Sequence, residues 1–384
     1  MLQADLLIVG AGPVGMALAL ALKDAGLDIV LADTRPRADV TRDARVLALS
    51  WGTQLTLQRL GVWPDATSAT PITRIHISQQ GGFGSTRLQA GDYGQPALGQ
   101  VMSAGTLAAA LRLAVDAAGI TVLDSTEVTN LAAGSTDVIA SLAGPGAPAG
   151  TLRARLDACA EGVMQGEDED IVDHDYHQHA LIARLEVAGS HQGTAFERFT
   201  PEGPVALLPH GSDYALVHVV PPERADALLA LDDPDYLRSV QAHFGSRVRL
   251  RAVHDRLRYP LRLRYRRQAT GPRTVWVGNA AQTLHPVAGQ GFNLALRDVW
   301  ALATTLIEQG GDPGAAETLA AHAANRRLDR LGTIRFTDSL VKLFSNDLGM
   351  LRHARGAGLF ALELCAPLRH FIARRMMYGA RAWP

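Results

Sequence analysis

The chain has 384 residues, of which 47% are hydrophobic, so it is long enough for two or three domains with a substantial core. A formal net charge of −1 excludes a general electrostatic attraction to nucleic acid, and we expect no nucleic-acid partner. The two cysteines, Cys159 and Cys365, exclude a disulfide framework and indicate a reducing compartment, so we predict a cytoplasmic protein.

The N-terminus predicts a strand, a helix and a second strand in succession. The apolar run Leu6–Val9 ends at a glycine, as a buried parallel strand does. A helix is predicted from about Pro13 to Ala25, where Gly26 ends it, and Ile29–Ala32 is the second strand. This order is the start of a parallel βαβ unit.

A glycine pattern lies between the first strand and the helix. Gly10, Gly12 and Gly15 fit G-x-G-x-x-G, in which the glycines permit a tight turn, close approach to a pyrophosphate, and helix–strand packing. Asp33 ends the second strand, where an acid accepts hydrogen bonds from ribose hydroxyls. The pattern predicts a dinucleotide site, and by itself it leaves FAD and NAD equally open.

The segment Asp39–Leu49 is predicted as a loop that carries two arginines and precedes a helix from Ser50 to Leu60. The guanidinium groups of Arg42 and Arg45 could reach a phosphate or polar groups of a cofactor. They could equally be ordinary surface residues, and the sequence leaves both interpretations open.

The middle of the chain changes from helix to antiparallel sheet. A helix is predicted at Gly105–Gly119 and a strand at Val122–Val128. From about Ala180 to Val220 strand-like apolar runs follow one another, which predicts antiparallel sheet. A helix at Pro234–Phe244 interrupts them, and Arg247–Tyr265 then alternates arginines with apolar residues, as strands with one basic face do.

A second glycine-rich stretch follows a buried strand at Val275–Gly278 and runs to Asp298. Helices are predicted at Gly291–Gln309 and Ala315–Leu331, before a helix-rich end. The Pro–Gly loop in front of the first helix permits close backbone approach, and the helix N-terminus can stabilise negative charge. The two glycine-rich stretches predict one nucleotide cofactor that is bound by two distant parts of the chain.

His285 and Pro286 open this loop and are the candidate catalytic residues. The imidazole of His285 could exchange protons with a substrate, or it could be a structural histidine whose hydrogen bonds stabilise the loop. The sequence does not decide between these two roles.

Together the motifs resemble a known family. The run Val9–Gly15 with Asp33, and GNAAQTLHPVAGQGFNLALRD from Gly278 to Asp298, are similar to flavin-dependent aromatic hydroxylases of the p-hydroxybenzoate hydroxylase type. The sequence GNAAQTLHP and the later segment Thr337–Asn346 are similar to those of the ubiquinone-biosynthesis branch, and most similar to those of its 2-polyprenyl-6-methoxyphenol hydroxylases. Most members carry Asp at the position of Asn279.

The element order predicts an α/β fold, in which a discontinuous Rossmann-like nucleotide-binding domain is followed by a helical C-terminus and contains an inserted antiparallel β-sheet substrate domain. The resemblance identifies the nucleotide as FAD. The predicted boundaries are residues 1–75, 98–165 and 274–330 for the FAD-binding domain, 76–97 and 166–273 for the substrate domain, and 331–384 for the helical region.

The resemblance implies FAD as cofactor and NAD(P)H as co-substrate. It implies that Gly12 lies near the pyrophosphate, Asn279 near the ribityl–phosphate region, and the Pro286–Gly291 loop beside the isoalloxazine. The residues predicted to bind the cofactor are Gly10, Gly12, Gly15, Asp33, Arg42, Arg45, Gln100, Asn279, Gly289, Gln290, Gly291, Phe292 and Asn293.

A third motif departs from the family. Members usually carry A-D-G-x-x-S after a strand, whereas this chain has AEGVMQ from Ala160 to Gln165. Glu161 is one methylene longer than Asp, the serine is absent, and an acidic run follows at once. We therefore predict that FAD binding is retained, whereas the altered motif gives less support to efficient use of NAD(P)H.

The implied reaction is monooxygenation of a polyprenylated phenol in ubiquinone biosynthesis, through a flavin C4a-hydroperoxide formed from NAD(P)H and O₂. Two alternatives remain: a hydroxylase of another aromatic substrate, and a weakly active flavin-binding scaffold of a quinone-synthesis complex.

The C-terminal region is basic and apolar, with eleven Arg or Lys against four acids from Arg326 onward. Such charges are common on solvated faces that pair internally. They also suit peripheral contact with an anionic inner membrane, which a membrane-derived substrate and a quinone-biosynthesis complex would favour.

Overall fold

The structure is a computed structural model that describes residues 1–64, 68–147, 150–166, 169–345 and 349–381. Parts of three predicted segments lie outside the described residues: 167–168 of the acidic run, Asn346 at the end of the Thr337–Asn346 segment, and the last three residues of the helical region.

Helices and strands account for most of the described chain. The helices are α1 (Pro13–Ala21), α2 (Arg37–Val40), α3 (Trp51–Arg59), α4 (Ala104–Ala117), α5 (Pro222–Leu229), α6 (Asp233–Phe244), α7 (Gln290–Gln309), α8 (Ala316–Phe344), α9 (Gly349–Leu364) and α10 (Ala366–Tyr378). The strands are β1 (Leu2–Val9), β2 (Ile29–Ala32), β3 (Val46–Ser50), β4 (Thr70–Ile72), β5 (Arg74–Gln79), β6 (Ser85–Gln89), β7 (Gly99–Ser103), β8 (Thr121–Leu123), β9 (Glu127–Ala133), β10 (Val138–Ala143), β11 (Thr151–Cys159), β12 (Ile171–Val187), β13 (Thr194–Phe199), β14 (Pro204–His210), β15 (Asp213–Val220), β16 (Leu250–Arg266), β17 (Thr270–Gly271), β18 (Thr274–Trp276) and β19 (Gln282–Thr283).

The first sheet has the order β17-β18-β11-β1-β2-β8, with the β9–β10 hairpin attached to β11. Strands β18, β11, β1, β2 and β8 run parallel, and α1, α4 and α7 pack on one face in a core that includes Leu6, Leu18, Leu107 and Val299. The N-terminal βαβ prediction is confirmed. The single strand predicted at Val122–Val128 is wrong, because Ser125 adopts a φ of 52° and divides it into β8 and β9.

The second sheet has the order β19-β16-β12-β15-β14-β13-β5-β6. Its strands are antiparallel except for the β13–β5 pair, so the antiparallel sheet predicted from Ala180 to Val220 is confirmed. The helices α5 and α6 cover one face of this sheet over a core that includes Leu207, Tyr236 and Phe244. Residues 74–89 add the two strands at one edge.

A small third sheet, of order β3-β7-β4, contacts β14 of the second sheet and α7, which packs on the first sheet. The predicted loop Asp39–Leu49 is wrong in part, since it contains the end of α2 and most of β3. Val46–Ser50 is extended because it pairs with Gly99–Ser103, a partner about fifty residues away that local sequence does not reveal. Ser50 then caps α3 by accepting a hydrogen bond from the Thr53 amide.

The C-terminal helices join the sheets together. The helix predicted to end at Leu331 continues as α8 to Phe344. Arg330 of α8 is 5% exposed and donates to the side chain of Gln282 and to the carbonyls of Arg266 and Ala281, which lie at the edge of the second sheet. The last helix, α10, packs against α3, where the carbonyl of Met377 leaves no room for a side chain at Gly52.

The predicted α/β fold class is confirmed by this arrangement of a parallel sheet, an antiparallel sheet and a helical end. The domain boundaries stay a prediction. No helix in the described part of the chain is both long and apolar enough to cross a membrane.

A buried charge network stabilises the packing of α7 against α8. Arg326 donates to Asp298 at 2.6 Å and to Asp329 at 2.8 Å, and Asp329 also accepts from Arg297 at 2.8 Å. Burial alone would raise the pKa of Asp329, but the charges of Arg297 and Arg326 outweigh it and lower the pKa to about 2. The carboxylate is therefore ionised whenever the protein is folded above that pH.

We expect Asp329→Ala to lower the free energy of unfolding by about 3–5 kcal/mol, because it leaves the buried Arg326 and the half-buried Arg297 without their shared anion. Urea denaturation of the variant against Glu308→Ala, an exposed control on α7, measures this. The folded pKa lies below the unfolded value, so the contribution is present at pH 5 and is lost as the pH falls below about 4 toward 2. A difference under about 1 kcal/mol at pH 7 would contradict this account.

Candidate functional site

The glycine turn after β1 is shaped by contacts between main-chain atoms. Gly10 has a φ of 108°, and a Cβ there would lie 2.7 Å from the carbonyl oxygen of Ala160. A Cβ on Gly15 would lie 1.9 Å from the carbonyl oxygen of Gly10. Both positions therefore require glycine for the packing of β1 against β11 and α1, as the motif predicts.

Gly12 is different, because protein atoms do not require it to be glycine. Its φ of −76° suits any residue, and the nearest atom to an added Cβ is a terminal nitrogen of Arg35 at 3.6 Å. Gly12 is also the N-cap of α1, which has no side-chain cap, so amides of the first turn remain free to bind an anion. The space beside Gly12 fits the pyrophosphate of FAD.

Asp33 lies where the sequence predicts, at the end of β2 and 3% exposed. Its carboxylate accepts hydrogen bonds from the amide of Ala11 at 2.8 Å, and from the amide and guanidinium of Arg35 at 2.8–2.9 Å. Burial raises the pKa of Asp33, and the Arg35 hydrogen bonds outweigh it, so the pKa is lowered. A ribose would have to share this carboxylate with Arg35, a residue that the motif analysis missed although it stands two positions after the acid.

The structure does not bring Arg42 to this turn. Arg42 has a side chain 76% exposed and pairs with Asp39, which favours the surface interpretation for it. Arg45 donates hydrogen bonds to both carboxylate oxygens of Asp43, and this hydrogen bonding raises the pKa of Arg45. Asp43 thus neutralises the guanidinium that was predicted to reach the cofactor.

The second glycine-rich stretch meets the first at the start of α1. Gly278 has a φ of 62°, and a Cβ there would lie 3.1 Å from the side chain of Val14. Asn279 donates from its amide nitrogen to the carbonyl oxygen of Gly162 at 3.0 Å. The three motifs are therefore neighbours in space, and Asn279 makes a bond that the Asp of most members could not donate.

The Pro286–Gly291 loop is held in a strained shape. Ala288 and Gly289 both have left-handed backbones, with φ of 62° and 60°, and a Cβ on Gly289 would lie 3.1 Å from the Cβ of Ala48. The amide of Gly289 donates to the Pro286 carbonyl at 2.9 Å. Around an added Cβ on Gly291 there is no described atom within 4 Å, so the N-terminus of α7 is open to a ligand.

The side chains of two residues that are predicted to bind the cofactor, Asn293 and Gln290, position this loop. Asn293 is 2% exposed, donates to the carbonyls of Ala48 and Gly289, and accepts from the Ser50 amide and the Thr53 hydroxyl. These four bonds use the whole capacity of the amide group.

The neighbouring side chains follow the same trend. Gln290 donates to the Ala288 carbonyl at 3.1 Å, and Phe292 packs against the core of the first sheet. Only main-chain amides of these residues remain to face an anion at the helix N-terminus. Gln100 is half-buried on β7, opposite Leu49.

His285 is 1% exposed, and burial lowers its pKa to about 3. Its Nδ1 accepts a hydrogen bond from the Val287 amide at 3.1 Å, so the neutral ring carries its proton on Nε2. Nε2 has no hydrogen-bond partner among the described residues, and the ring contacts Tyr176 edge-to-face at 5.3 Å. The imidazole is therefore a neutral hydrogen-bond donor at physiological pH, and proton uptake by it is unfavourable.

Glu161, the departure in the third motif, lies close to the glycine turn. Burial raises its pKa, and the charge of Asp33 raises it further. The neighbouring Ala160 makes the close contact with Gly10 described above. The altered motif thus keeps the backbone geometry of the cradle and keeps an acid near Asp33, with a side chain that is one methylene longer than the usual Asp.

One face of the second sheet fronts the Pro286–Gly291 loop. Phe199 of β13 and Ile77 of β5 pack in one cluster with Val287 of the loop. Ala195, on the same face of β13 as Phe199, packs with Ile72 and Val101 of the small sheet. The face between these contacts therefore lies over the junction of the loop with β3.

Cross-strand register shows which residues line this face. Paired residues continue across the strands as one row: Ile77, Glu197, Ala206, Val217, Ile182 and Leu257. All are apolar except Glu197. Ile182 and Val217 keep part of their surface accessible, and Leu257 is 45% exposed at the far end of the row.

Gly12→Ala and Gly15→Ala separate a ligand effect from a folding effect. We expect Gly12→Ala to leave the Tm of the FAD-free protein within about 2 °C of wild type and to raise the Kd for FAD at least about tenfold, because the methyl enters ligand space. Gly15→Ala should instead destabilise the fold by more than about 2 kcal/mol. Flavin fluorescence quenching and thermal unfolding measure the two, and unchanged FAD affinity of Gly12→Ala would refute the cradle.

The chain is similar to known proteins. The chain matches the FAD binding domain family over residues 3–331. It is 34% identical to the ubiquinone hydroxylase UbiL of Rhodospirillum rubrum, over 99% of this chain and 91% of that one. It is 30% identical to the 3-demethoxyubiquinol 3-hydroxylase of Escherichia coli, over 95% of this chain and 96% of that one.

Solved structures share the fold. The p-nitrophenol 4-monooxygenase PnpA of Pseudomonas putida superposes with a TM-score of 0.77 and 16% identity, over 99% of this chain and all of that one. The family match, the relatives and the open cradle at Gly12 agree with the predicted cofactor and enzyme class. The chain belongs to the FAD binding domain family and is an FAD-dependent monooxygenase of the ubiquinone-biosynthesis branch of aromatic hydroxylases.

Proposed function

We propose that the enzyme hydroxylates a polyprenylated phenol, with NAD(P)H and O₂ as co-substrates. The names of its relatives support a substrate of ubiquinone biosynthesis. The sequence of the second glycine-rich stretch favours a 2-polyprenyl-6-methoxyphenol as the substrate. Reduced flavin supplies the oxygen chemistry, so the protein must orient the ring and exclude water.

The apolar row on the second sheet is the observation that carries this proposal. A prenyl tail needs a continuous apolar surface, and the row from Ile77 to Leu257 offers one that ends at an exposed leucine. Val217 and Ile182 keep accessible surface although they lie within the sheet, as residues that line a space do. A small polar aromatic substrate would leave this apolar surface exposed to water.

The loop beside the row supplies neutral groups. His285 offers an Nε2–H donor whose protonation is disfavoured by burial, and the N-terminus of α7 offers main-chain amides that stabilise negative charge. Asn293 and Gln290 keep the loop carbonyls occupied, so the loop presents donors rather than acceptors on its open side.

Peripheral contact with the inner membrane follows from the same substrate, since prenylated phenols partition into bilayers. Helices α9 and α10 expose Phe360, Leu364, Leu368 and Phe371 together with Arg374. Apolar and cationic side chains in one region suit an anionic lipid surface. Participation in a quinone-biosynthesis complex would place the enzyme at the same surface.

The FAD-bound enzyme should oxidise NADPH faster in the presence of 2-geranyl-6-methoxyphenol and insert one atom of ¹⁸O₂ into that phenol. Product mass spectrometry and NADPH absorbance measure the two reactions, with Gly12→Ala at limiting FAD as the control in which less cofactor is bound. Hydroxylation of only small polar phenols would support another aromatic substrate. Bound FAD without turnover of any quinone precursor would support the scaffold.

A deletion strain gives an independent test in the cell. Loss of the gene should cause accumulation of the prenylated 6-methoxyphenol that lacks the next hydroxyl, detected by mass spectrometry of lipid extracts. An unchanged quinone pool would overturn the proposed substrate.

Glu161→Asp should speed reduction of FAD by NADPH. The shorter acid restores the usual residue of the motif and moves the second carboxylate back by one methylene, which reduces repulsion of an anionic nicotinamide nucleotide. We expect an increase of at least about threefold in stopped-flow experiments at low salt, with unchanged FAD affinity. If Glu161→Asp is reduced no faster than the wild-type enzyme, Glu161 does not limit the rate of FAD reduction.

A further inference from the structure

Glu197 is a carboxylate without an ionic partner on the face that fronts the loop. It lies on β13, paired with Ile77 on one side and Ala206 on the other. Among the described residues it makes no ion pair and no side-chain hydrogen bond, although part of its surface is accessible. An ionised carboxylate in such apolar surroundings lowers the stability of the fold. Groups of this kind are found most often at functional sites.

Strand geometry determines where this side chain points. Side chains two positions apart share a face, so Glu197 is on the same side of β13 as Ala195 and Phe199. Phe199 packs with Val287 of the loop, and Ala195 packs with Val101 of the small sheet. Glu197 therefore projects between these two contacts.

The face that carries Glu197 lies over the junction of β3 with the Pro286–Gly291 loop. Ala48 of β3 lies against Gly289, where an added Cβ would approach to 3.1 Å. Ala48 is paired with Val101, the residue that packs under Ala195. The residues on either side of Glu197 therefore contact the same junction that carries the loop before α7.

Removal from water raises the pKa of Glu197 to about 7, and no neighbouring charge contributes to the shift. The titratable and charged groups on the elements that front this face include His285 on the loop, Tyr176 on β12, and Arg45 with Tyr259 at the open edge. On the helices packed behind Phe199 they include Asp338 of α8, which accepts a hydrogen bond from Tyr176 at 3.1 Å, and Arg355 of α9, which lies over the ring of Phe344. His285 is neutral, and Asp43 binds Arg45. The carboxyl is therefore free to change protonation state near neutral pH.

We propose that Glu197 accepts the phenolic proton of the substrate, an inference that rests on the proposed function. The phenolic O–H bond breaks and an O–H bond to Glu197 forms, so that the oxygen electrons enter the ring as a ring carbon bonds to one oxygen atom of O₂. The hydrogen on that carbon then leaves to solvent as a proton, and Glu197 returns its proton to the phenolic oxygen. NAD(P)H supplies a hydride, which carries the two electrons, and solvent supplies two protons, so the other oxygen atom leaves as water.

Glu197→Gln tests the proton acceptor in the FAD-bound enzyme. In wild type, hydroxylation of 2-geranyl-6-methoxyphenol should rise with pH through about 7, because the base is the ionised form. The variant should lose this rise and at least about a hundredfold in hydroxylation rate at pH 8, while NADPH oxidation continues and releases peroxide. Glu197→Asp should recover part of the rate, and Glu223→Gln, an exposed acid on α5, should behave as wild type.

A binding experiment provides a readout that does not depend on turnover. Wild type should bind the phenol about tenfold or more tightly than its O-methyl ether, since only the phenol can donate to the carboxylate. Glu197→Leu should bind both compounds with similar affinity. Flavin absorbance changes on titration report the two Kd values, and Tm confirms that the variants are folded.

The outcomes separate the two proposals. If Glu197→Gln hydroxylates the phenol at the wild-type rate and with the same pH profile, the role of Glu197 is overturned and the proposed function stands. Equal affinity of wild type for the phenol and its ether would also overturn it. Absence of hydroxylation in wild type itself would refute the proposed function instead.

Discussion

The approach of main-chain segments at the start of α1 is the constraint on which the site depends. Gly15 has no room for a side chain because of the Gly10 carbonyl, and Gly10 has none because of the Ala160 carbonyl. Gly278 adds a third contact through Val14. These contacts bring β1, β11 and the second glycine-rich stretch to one point. A side chain at Gly10 or Gly15 would push these elements apart and disturb the cradle at Gly12 between them.

The site divides its electrostatics between two ends. At the nucleotide end, Asp33 and Arg35 form a charged pair whose hydrogen bonds are satisfied by protein. At the loop end, ionised groups are rare: His285 is neutral, and the amides of α7 supply partial positive charge. Charge that develops on an aromatic ring there meets dipoles and one titratable carboxyl, Glu197. Such surroundings make each polar group more effective than it would be in water.

Sequence reasoning predicted the parts of this protein that local patterns determine. The spacing of Gly10, Gly12 and Gly15, and the loop before α7, predict the cofactor site, because Gly10, Gly15 and Gly289 meet backbone requirements and Gly12 leaves space for a ligand. Strand β3 was not predicted, because its extended conformation comes from pairing with β7, which is about fifty residues away in the sequence. Glu197 escaped it for a similar reason. Its significance depends on the register of β13 between β14 and β5, and no short motif encodes that register.

The contact between Ala48 and Gly289 limits how this enzyme can diverge. The methyl group of residue 48 already touches the strained loop, and the same strand residue accepts a hydrogen bond from Asn293. A lineage that enlarged residue 48 would have to move the loop away from β3, and with it the ring-binding surface. The two positions should therefore change together among relatives, although 241 residues separate them in the chain.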